Sequence, residues 1–166
     1  MIESAVYPGT FDPPTKGHLN ILRRALSVFS EVICLVAANP RKESLFSPTE
    51  RVEMLEDAIK EEGDSQLFSR VQITSHTGLL TDWMRERELS VIVRGLRAVS
   101  DYEYELQMSL MNKELLPDSE TVFLVAAPKW SFVSSGLIKE VAALGGDIGE
   151  HIPPCLVERV MSRVCR

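Results

Sequence analysis

The 166-residue sequence has little cysteine and no long apolar run. Its three cysteines, Cys34, Cys155 and Cys165, form no CxxC pair and no Cys/His cluster with zinc spacing, which argues against a zinc site or a disulfide framework and favours a reducing compartment. The N-terminus lacks the basic-then-apolar pattern of a signal peptide, and no apolar run approaches the ~18 residues that span a bilayer. We therefore expect a cytoplasmic protein that does not engage a membrane.

The sequence also lacks an excess of basic residues. Lys plus Arg number 18 and Asp plus Glu number 24, giving a net charge of −6. This balance argues against a nucleic-acid partner, which requires a basic surface, but it leaves room for a small anion in a locally basic pocket. With 45% hydrophobic and 25% charged residues, the composition is typical of one folded domain, and we expect residues 1–166 to form a single one.

Short apolar runs predict five strands, at 4–7, 32–38, 71–74, 91–93 and 121–126. The runs are continuously apolar, as in strands that are buried on both faces of a parallel sheet. Helical patterns fill the gaps, at about 17–29, 48–63, 80–88, 99–116, 136–144 and 154–164. This alternation predicts an α/β fold, a doubly wound domain with a five-stranded parallel sheet flanked by helices. Ligands of such folds bind beyond the carboxyl ends of the strands.

The first strand end carries the sequence YPGTFDPPTKGH at residues 7–18, which is neither a Walker A loop nor a GxGxxG fingerprint. Gly17 and His18 begin the next helix, where free N–H groups and a partial positive charge suit a phosphate. The same helix dipole disfavours an imidazolium, so we expect His18 to be a neutral donor. The alternative is that Thr15 caps the helix and His18 is a polar surface residue.

Two further strand ends carry cations. Arg41 and Lys42 follow the second strand and suit a phosphate, although a solvated basic turn is the alternative. Arg94 and Arg97 flank Gly95-Leu96 after the fourth strand, where two guanidinium forks suit phosphate oxygens. The alternative for these arginines is salt bridging to the acidic segment 101–105.

The two remaining strand ends, after the third and fifth strands, offer uncharged candidate residues. Ser134 and Ser135 lie at or beside a helix N-cap after the fifth strand and suit a phosphate, with plain capping as the alternative. Leu79 and Leu80 follow the third strand and suit the non-phosphate part of a substrate, with helix core as the alternative. Phosphate-suited groups at four of the five ends predict one anion pocket.

Together these segments resemble the bacterial phosphopantetheine adenylyltransferases, which belong to the nucleotidyltransferase superfamily with the [HT]xGH motif and a Rossmann-like fold. The matching blocks occur in the family's order: YPGTFDP at 7–13, TxGH at 15–18, NxxK at 39–42, IVRGLRA at 92–98, DYEYE at 101–105, WSFVSS at 130–135 and LIKEV at 137–141. The match is weak after Ile148, so no role is carried over from that tail. Gly136 and Leu80 depart from the pattern, because Ser and Met are common there.

The resemblance implies a reaction in coenzyme A biosynthesis. The family transfers the adenylyl group of ATP to 4′-phosphopantetheine, with Mg²⁺, and forms 3′-dephospho-CoA and pyrophosphate. The attack is direct and in line, without a covalent intermediate. Family members form homohexamers, and coenzyme A inhibits several of them by occupying the site.

The resemblance also implies residue roles in this chain. His18 would stabilise the transition state, and Lys42 and Arg94 would hold the phosphate of phosphopantetheine. Thr10 would contact both substrates, and Leu80 would line the pantetheine channel. The implied ATP-binding residues are Thr10, Phe11, His18, Gly95, Leu96, Arg97, Glu105, Trp130, Ser131, Phe132, Val133, Ser134, Ser135 and Gly136. No Mg²⁺ ligand is implied. Asp12 is a candidate metal-side carboxylate, or it caps its own turn.

Two alternatives are weaker. A related nucleotidyltransferase would use another phosphorylated acceptor, such as nicotinate mononucleotide or glycerol phosphate, but the RGLR and WSF blocks argue against it. A regulatory nucleotide-binding module would have lost catalysis, and the presence of His18, Lys42 and Arg94 argues against that.

Overall fold

The computed structural model describes residues 4–38 and 43–164, apart from the side chains at positions 67, 99 and 100. Within this part of the chain, five parallel strands form one sheet in the order β3-β2-β1-β4-β5. The strands are β1 Ser4–Gly9, β2 Glu31–Ala38, β3 Val71–Thr77, β4 Val91–Leu96 and β5 Glu120–Val125. Helices flank this sheet, so the predicted doubly wound α/β fold is confirmed.

The helices follow the predicted alternation. They are α1 Lys16–Leu26, α2 Pro48–Glu61, α3 Ser65–Phe68, α4 Leu80–Arg85, α5 Val99–Leu115, α6 Ser135–Ala143 and α7 Pro154–Val164. The sequence did not predict α3 or a 3₁₀ turn at Pro128–Trp130, because elements of four and three residues are too short to show a period. No helix in the described ranges is long and apolar enough to cross a membrane.

Three strands, β1, β3 and β4, run further than their apolar cores predict, and β3 ends at Thr77 where the sequence predicts position 74. β1 includes Pro8 and Gly9, which pair in register with Leu35 and Val36 of β2. β4 includes Arg94 to Leu96, which pair with Phe123 to Val125 of β5. Neighbouring strands impose these extensions, which local propensity does not reveal. Arg94 and Gly95 therefore lie inside β4, not in the loop after it.

The core has two layers, one on each face of the sheet. Residues alternate along the strands, so that Ala5 and Tyr7 face the layer of α1, α2, α6 and α7, while Val6 faces the layer with Trp83 and Met84 of α4. All five of these side chains are at most 5% exposed. Burial on both faces explains why the strand sequences are continuously apolar.

The strand order places a switch point between β1 and β4. The chain winds outward from β1 through β2 to β3 on one side, and then returns to β4 and β5 on the other. In open α/β sheets such a switch point opens a crevice at the carboxyl ends of the two strands. The topology therefore brings the loop after β1 and the end of β4 to one crevice.

Candidate active site

A cavity of about 480 Å³ fills the crevice between the ends of β1 and β4. Its walls also include the start of α1, one side of α5 and the segment that leads into α6. Many of the residues singled out in the sequence line it: Thr10, Phe11, His18, Arg94, Gly95, Arg97, Glu105, Val133, Ser134 and Ser135. The structure thus brings together residues from positions as distant as 10 and 135.

Other sequence-predicted residues lie off this wall. They are Leu80, Leu96, Trp130, Ser131, Phe132 and Gly136. Leu80 packs against the core layer of Trp83 and Met84, as the helix-core alternative states, whereas Leu79 is 56% exposed and does not. Lys42 lies outside the described residues. Binding roles for all of these residues stay predictions.

Thr15 and His18 form a capping box at the start of α1. The His18 amide donates to Thr15 Oγ1 at 3.3 Å, and the Thr15 amide donates to His18 Nδ1 at 3.0 Å. The alternative in which Thr15 caps the helix is therefore correct, but His18 is not a mere surface residue, because its ring lines the cavity. Since Nδ1 accepts a hydrogen bond, the neutral ring carries its proton on Nε2.

The His18 ring is held neutral. The pKa of His18 is lowered to about 4, mainly by burial and in addition by the charges of Arg97 and Arg94. The ring is therefore uncharged at neutral pH and offers the Nε2–H group as a donor. This agrees with the neutral donor that the helix dipole predicts.

Hydrogen bonds within the protein leave fewer free amide groups at the start of α1 than the sequence predicts. The Lys16 amide donates to the His151 carbonyl at 2.9 Å, and the His18 amide is used by its cap. Of the first three amides of α1, only that of Gly17 finds no partner among the described residues. A Cβ at Gly17 would lie at ordinary contact distances, 3.4 Å from Thr15 Oγ1 and 3.7 Å from Trp130 Cβ, so Trp130 packs beside the start of α1.

Phe11 is the packing centre of the loop after β1. Its backbone has a φ of 49°, and its ring is 1% exposed. The ring packs edge-on against Tyr7 and His18, with centroid distances of 5.4 and 5.0 Å. A Cβ at Gly9 would lie 2.8 Å from the Phe11 ring, so a larger residue there would displace it. Gly9 and Phe11 together fix how the loop enters the crevice.

The arginines of β4 pair with the acidic start of α5. Arg94 donates Nε and an Nη to the two Glu105 oxygens at 2.7 and 2.6 Å, and its other Nη donates to the Pro8 carbonyl. Arg97 pairs with Asp101 at 3.1 Å and donates to the Val133 carbonyl at 3.0 Å. The salt-bridge alternative is therefore what the structure shows, with both guanidinium groups still on the cavity wall.

Glu105 stabilises the charged form of Arg94. Burial by itself lowers the pKa of Arg94, but the hydrogen bonds and charge of Glu105 outweigh burial and raise it. Both carboxylate oxygens of Glu105 are engaged by Arg94. Glu105 thus acts on the orientation of Arg94, and the planar fork fixes the guanidinium against the end of β1.

The serines before α6 also have partners. Ser134 Oγ accepts from the Leu137 amide at 3.1 Å, which is the plain N-cap of the alternative. Ser135 Oγ donates to the Pro13 carbonyl at 2.7 Å, which joins α6 to the loop after β1. Both serines remain on the cavity wall.

The structure assigns Asp12 neither of the two roles considered for it. Its carboxylate is 2% exposed and accepts from the amides of Leu45 and Phe46, both at 2.9 Å, and it pairs with Lys139 at 2.8 Å. It therefore caps a distant segment, not its own turn. In the ranges 4–38 and 43–164, no group of three or more His, Cys, Asp or Glu residues is placed to hold a metal ion.

Sequence reasoning missed some wall residues. Tyr104 of α5, Ile21 of α1 and Ala126 after β5 line the cavity. Tyr104 belongs to the DYEYE block and follows Asp101 by three residues, which places both on the same side of α5; this spacing is the signal that points to it. Ile21 and Ala126 carry no chemical signal, since apolar wall positions look like core.

Comparison with known proteins places this geometry in a family. The cytidylyltransferase-like family model matches residues 6–141. Proteins named phosphopantetheine adenylyltransferase are 53% identical in Thermotoga neapolitana, covering 90% of this chain and 89% of the relative, and 52% identical in Moorella thermoacetica, covering 95% and 94%. A third, from Heliobacterium modesticaldum, is 48% identical and covers 96% and 91%. The chain belongs to the phosphopantetheine adenylyltransferase family.

Solved structures agree with this membership at the level of the fold. A putative nicotinate-nucleotide adenylyltransferase from Vibrio parahaemolyticus matches with a TM-score of 0.68 and 21% identity, over 98% of this chain and 96% of that one. The nicotinic acid mononucleotide adenylyltransferase of Plasmodium falciparum matches with a TM-score of 0.71 and 15% identity, with the same coverage. This chain thus shares its fold with those two proteins, and the sequence relatives confirm the resemblance expected from the motif blocks.

Proposed function

We propose that the protein transfers the adenylyl group of ATP to 4′-phosphopantetheine, forming 3′-dephospho-CoA and pyrophosphate in coenzyme A biosynthesis. The observation that carries this proposal is the crevice between β1 and β4, where His18, Arg94 and Arg97 line one cavity in a chain of this family. The family membership selects the acceptor. The cavity supplies the donors that two phosphorylated substrates need.

The proposed reaction is a direct in-line displacement. A phosphate oxygen of phosphopantetheine attacks the α-phosphorus of ATP and forms the new O–P bond. The bond from that phosphorus to the bridging oxygen breaks, and pyrophosphate leaves with the electron pair. Because the attacking group is already an anion, the chain needs to provide only orientation and charge stabilisation.

His18 would act on the charge that develops at the α-phosphate. Its neutral ring carries the proton on Nε2, because Nδ1 is engaged by the Thr15 amide. A donor that is fixed before the reaction costs no reorganisation in the transition state, which is where such a contact is most effective. The Gly17 amide lies beside it at the start of α1 and suits the same phosphate chain.

The two arginines would divide the substrates between them. Arg94 is fixed by Glu105 and the Pro8 carbonyl, and its remaining N–H groups would bind the phosphate of phosphopantetheine together with Lys42. Arg97 lies next to Val133 and Ser134 and would bind ATP. Thr10, Phe11, Gly95, Leu96, Glu105 and residues 130–136 complete the proposed nucleotide site, and Leu80 the pantetheine channel.

Mg²⁺ remains part of the proposal as a companion of ATP. The wall carboxylates Asp101 and Glu105 are both ion-paired, to Arg97 and Arg94, and Asp12 is buried behind the wall. The described residues therefore do not fit a preformed Mg²⁺ cage, and no residue is assigned to hold the ion. A nucleotide carries Mg²⁺ on its own phosphates in many enzymes.

We also propose a cytoplasmic homohexamer. Helix α5 supports self-association, because its surface is unusually apolar for a solvated helix. Its exposed apolar side chains are Tyr102, Tyr104, Met108, Leu110, Met111 and Leu115. Patches of this kind mark protein interfaces. Sedimentation of the purified protein tests this: Met111→Glu should yield smaller species than wild type, and a wild-type monomer would contradict the proposal.

Coenzyme A inhibition belongs to the same proposal. Coenzyme A carries the phosphopantetheine and adenylyl parts that the two substrates bring separately, so it would occupy the same cavity. It should then compete with phosphopantetheine in steady-state kinetics. Inhibition that does not depend on the concentration of either substrate would contradict this assignment.

The decisive test is pyrophosphate release from ATP and Mg²⁺ with 4′-phosphopantetheine as acceptor. Nicotinate mononucleotide and glycerol phosphate serve as the matched alternative acceptors. We expect turnover with phosphopantetheine as acceptor and none with the other two acceptors. Absence of turnover with it, or faster turnover with another acceptor, would overturn the proposed function. Lys42→Ala should then raise the KM for phosphopantetheine more than that for ATP, and the opposite pattern would reassign Lys42 to the nucleotide.

A further inference from the structure

Two oppositely charged side chains are buried behind the cavity wall. Arg51 of α2 and Asp12 of the loop after β1 are each 2% exposed. Neither lines the cavity. Burying charge is costly, and an apolar side chain of similar size often stabilises a core as well or better. The position of these charges therefore calls for an explanation beyond packing.

Arg51 holds three separate chain segments through their carbonyl groups. One Nη donates to the Thr10 carbonyl at 2.7 Å and to the Ala37 carbonyl at 3.2 Å, and Nε approaches the Ser47 carbonyl at 3.4 Å. Within the described ranges, Arg51 has no carboxylate at ion-pair distance. Its hydrogen bonds thus serve the backbone of the loop after β1, the end of β2 and the start of α2.

Asp12 binds other parts of the chain, as an acceptor of backbone amide groups and as the partner of a lysine. Its two oxygens accept from the amides of Phe46 and Leu45, and Lys139 of α6 pairs with one of them. Burial lowers the pKa of Arg51 while the charge of Asp12 opposes that effect, so the two groups also stabilise each other. Arg51 therefore binds the loop after β1 at the Thr10 carbonyl, and Asp12 joins the same loop to residues 45–46 and to α6.

The backbone groups that Arg51 and Asp12 bind lie on either side of segment 39–42, which contains Lys42, in the sequence. Arg51 binds the carbonyl two residues before that segment, and Asp12 binds amides three and four residues after Lys42. Arg51 also binds the carbonyl of Thr10, and Thr10 lines the cavity. Displacing Arg51 would release Thr10 and Ala37 together, and displacing Asp12 would release residues 45–46 from the loop after β1.

We propose that Arg51 and Asp12, supported by Lys139, are positioning residues that hold Thr10, Ala37 and residues 45–46 in the geometry needed for adenylyl transfer. They touch no substrate and act through the backbone they bind. The proposal rests on the proposed function. A misplacement of about 1 Å at a reacting centre lowers rates by up to about 10²-fold, so small shifts of this backbone would be measurable.

The test compares Asp12→Asn and Arg51→Lys with wild type at a temperature well below the melting point of each variant. Asn keeps the shape of Asp12 but loses one acceptor and the charge, and Lys keeps the charge of Arg51 but loses the fork. We expect kcat/KM for phosphopantetheine to fall about tenfold or more while the KM for ATP changes less than about threefold. Glu53→Gln and Arg23→Lys, which change exposed ion pairs, are the matched controls and should leave both parameters unchanged.

A merely structural role predicts a different outcome. It lowers the melting temperature but leaves kcat and both KM values of the folded variant within about twofold of wild type, and that result would overturn the proposal. If wild type itself fails to turn over phosphopantetheine, the proposed function fails. In that case amide hydrogen exchange decides the inference: exchange of the Leu45 and Phe46 amides should rise in Asp12→Asn, and unchanged exchange overturns it.

Lys139→Met keeps the proposal falsifiable if both buried variants fail to fold. Lys139 reaches solvent, with 31% of its side chain exposed, so its loss should leave the fold intact. We expect kcat/KM for phosphopantetheine to fall about threefold, because Asp12 keeps its two amide partners but loses the ion pair. Kinetics equal to wild type would contradict a positioning role for this network.

Discussion

The ends of β1 and β4 face one cavity, but a neutral side chain follows β1 whereas charged side chains stand at the end of β4. At the end of β1, His18 is kept neutral and its ring is fixed by a helix cap. At the end of β4, Arg94 and Arg97 stay charged and are fixed by carboxylates from α5. A neutral donor keeps its proton whatever the substrate brings, whereas a paired cation must share its charge with an incoming phosphate. The difference suits a transition-state contact at β1 and ground-state binding at β4.

Removal of the β1 donor should have the largest effect. His18→Ala removes the Nε2–H group, and we expect kcat to fall by about 10²–10³ while the KM for ATP changes little. His18→Gln, which keeps an N–H donor, should recover part of the loss. Steady-state kinetics with pyrophosphate detection measure both variants. If kcat of His18→Ala equals that of wild type, the transition-state role is wrong.

Replacement of the paired cation at β4 should act on binding. Arg94→Lys keeps the charge but cannot form the fork to Glu105 while also reaching the Pro8 carbonyl. The KM for phosphopantetheine should rise by about 10-fold or more, with a smaller change in kcat. Arg85→Lys, on the exposed surface of α4, is the matched control. A change confined to kcat would contradict the assignment of Arg94 to substrate binding.

The neutrality of His18 predicts a pH dependence of stability. The unfolded chain binds a proton at this residue near pH 6.5, but the folded chain does so only near pH 4. Between these values the unfolded state holds more protons, so the free energy of unfolding falls as the pH is lowered through that window, by at most about 3 kcal/mol. Denaturant unfolding of wild type and His18→Gln from pH 7 to pH 4 measures this. Parallel pH curves for the two proteins would show that His18 titrates normally.

Arg97 should give the smallest effect. It is more exposed than Arg94, and its partner Asp101 is one helical turn away, a geometry that contributes little in water. Arg97→Lys should therefore raise the KM for ATP by about threefold and leave that for phosphopantetheine unchanged. An effect as large as that of Arg94→Lys, measured in the same assay, would place both arginines on one substrate.

Local signals in the sequence predict the fold well. The start of α2 shows this, because Ser47, Pro48 and Glu50 form a local sequence signature of a helix start, and Ser47 and Glu50 exchange the two hydrogen bonds of a capping box. Strand ends were less predictable. Arg94 and Gly95 extend β4 because β5 pairs with them, and that partner lies 29 residues further along the chain.

The candidate site was predictable where chemistry and motif coincide, as at His18 and Arg94. It was not predictable where a contact joins distant segments. Asp12 was expected to serve a metal or its own turn, but its partners lie 33, 34 and 127 residues away. Arg51 sits in the polar stretch PTERVE and looks like a solvated helix residue. Only the packing of α2 against the sheet reveals that its guanidinium is buried.

The capping box of Thr15 and His18 also sets rules for inhibitor chemistry. A compound that enters this cavity meets an imidazole whose single available proton points outward from the helix cap and whose charge is zero at physiological pH. A carboxylate on the compound would gain a hydrogen bond there but no ion pair. A neutral heterocyclic acceptor would gain the same bond with less dehydration, and would be the better anchor at this end of the crevice.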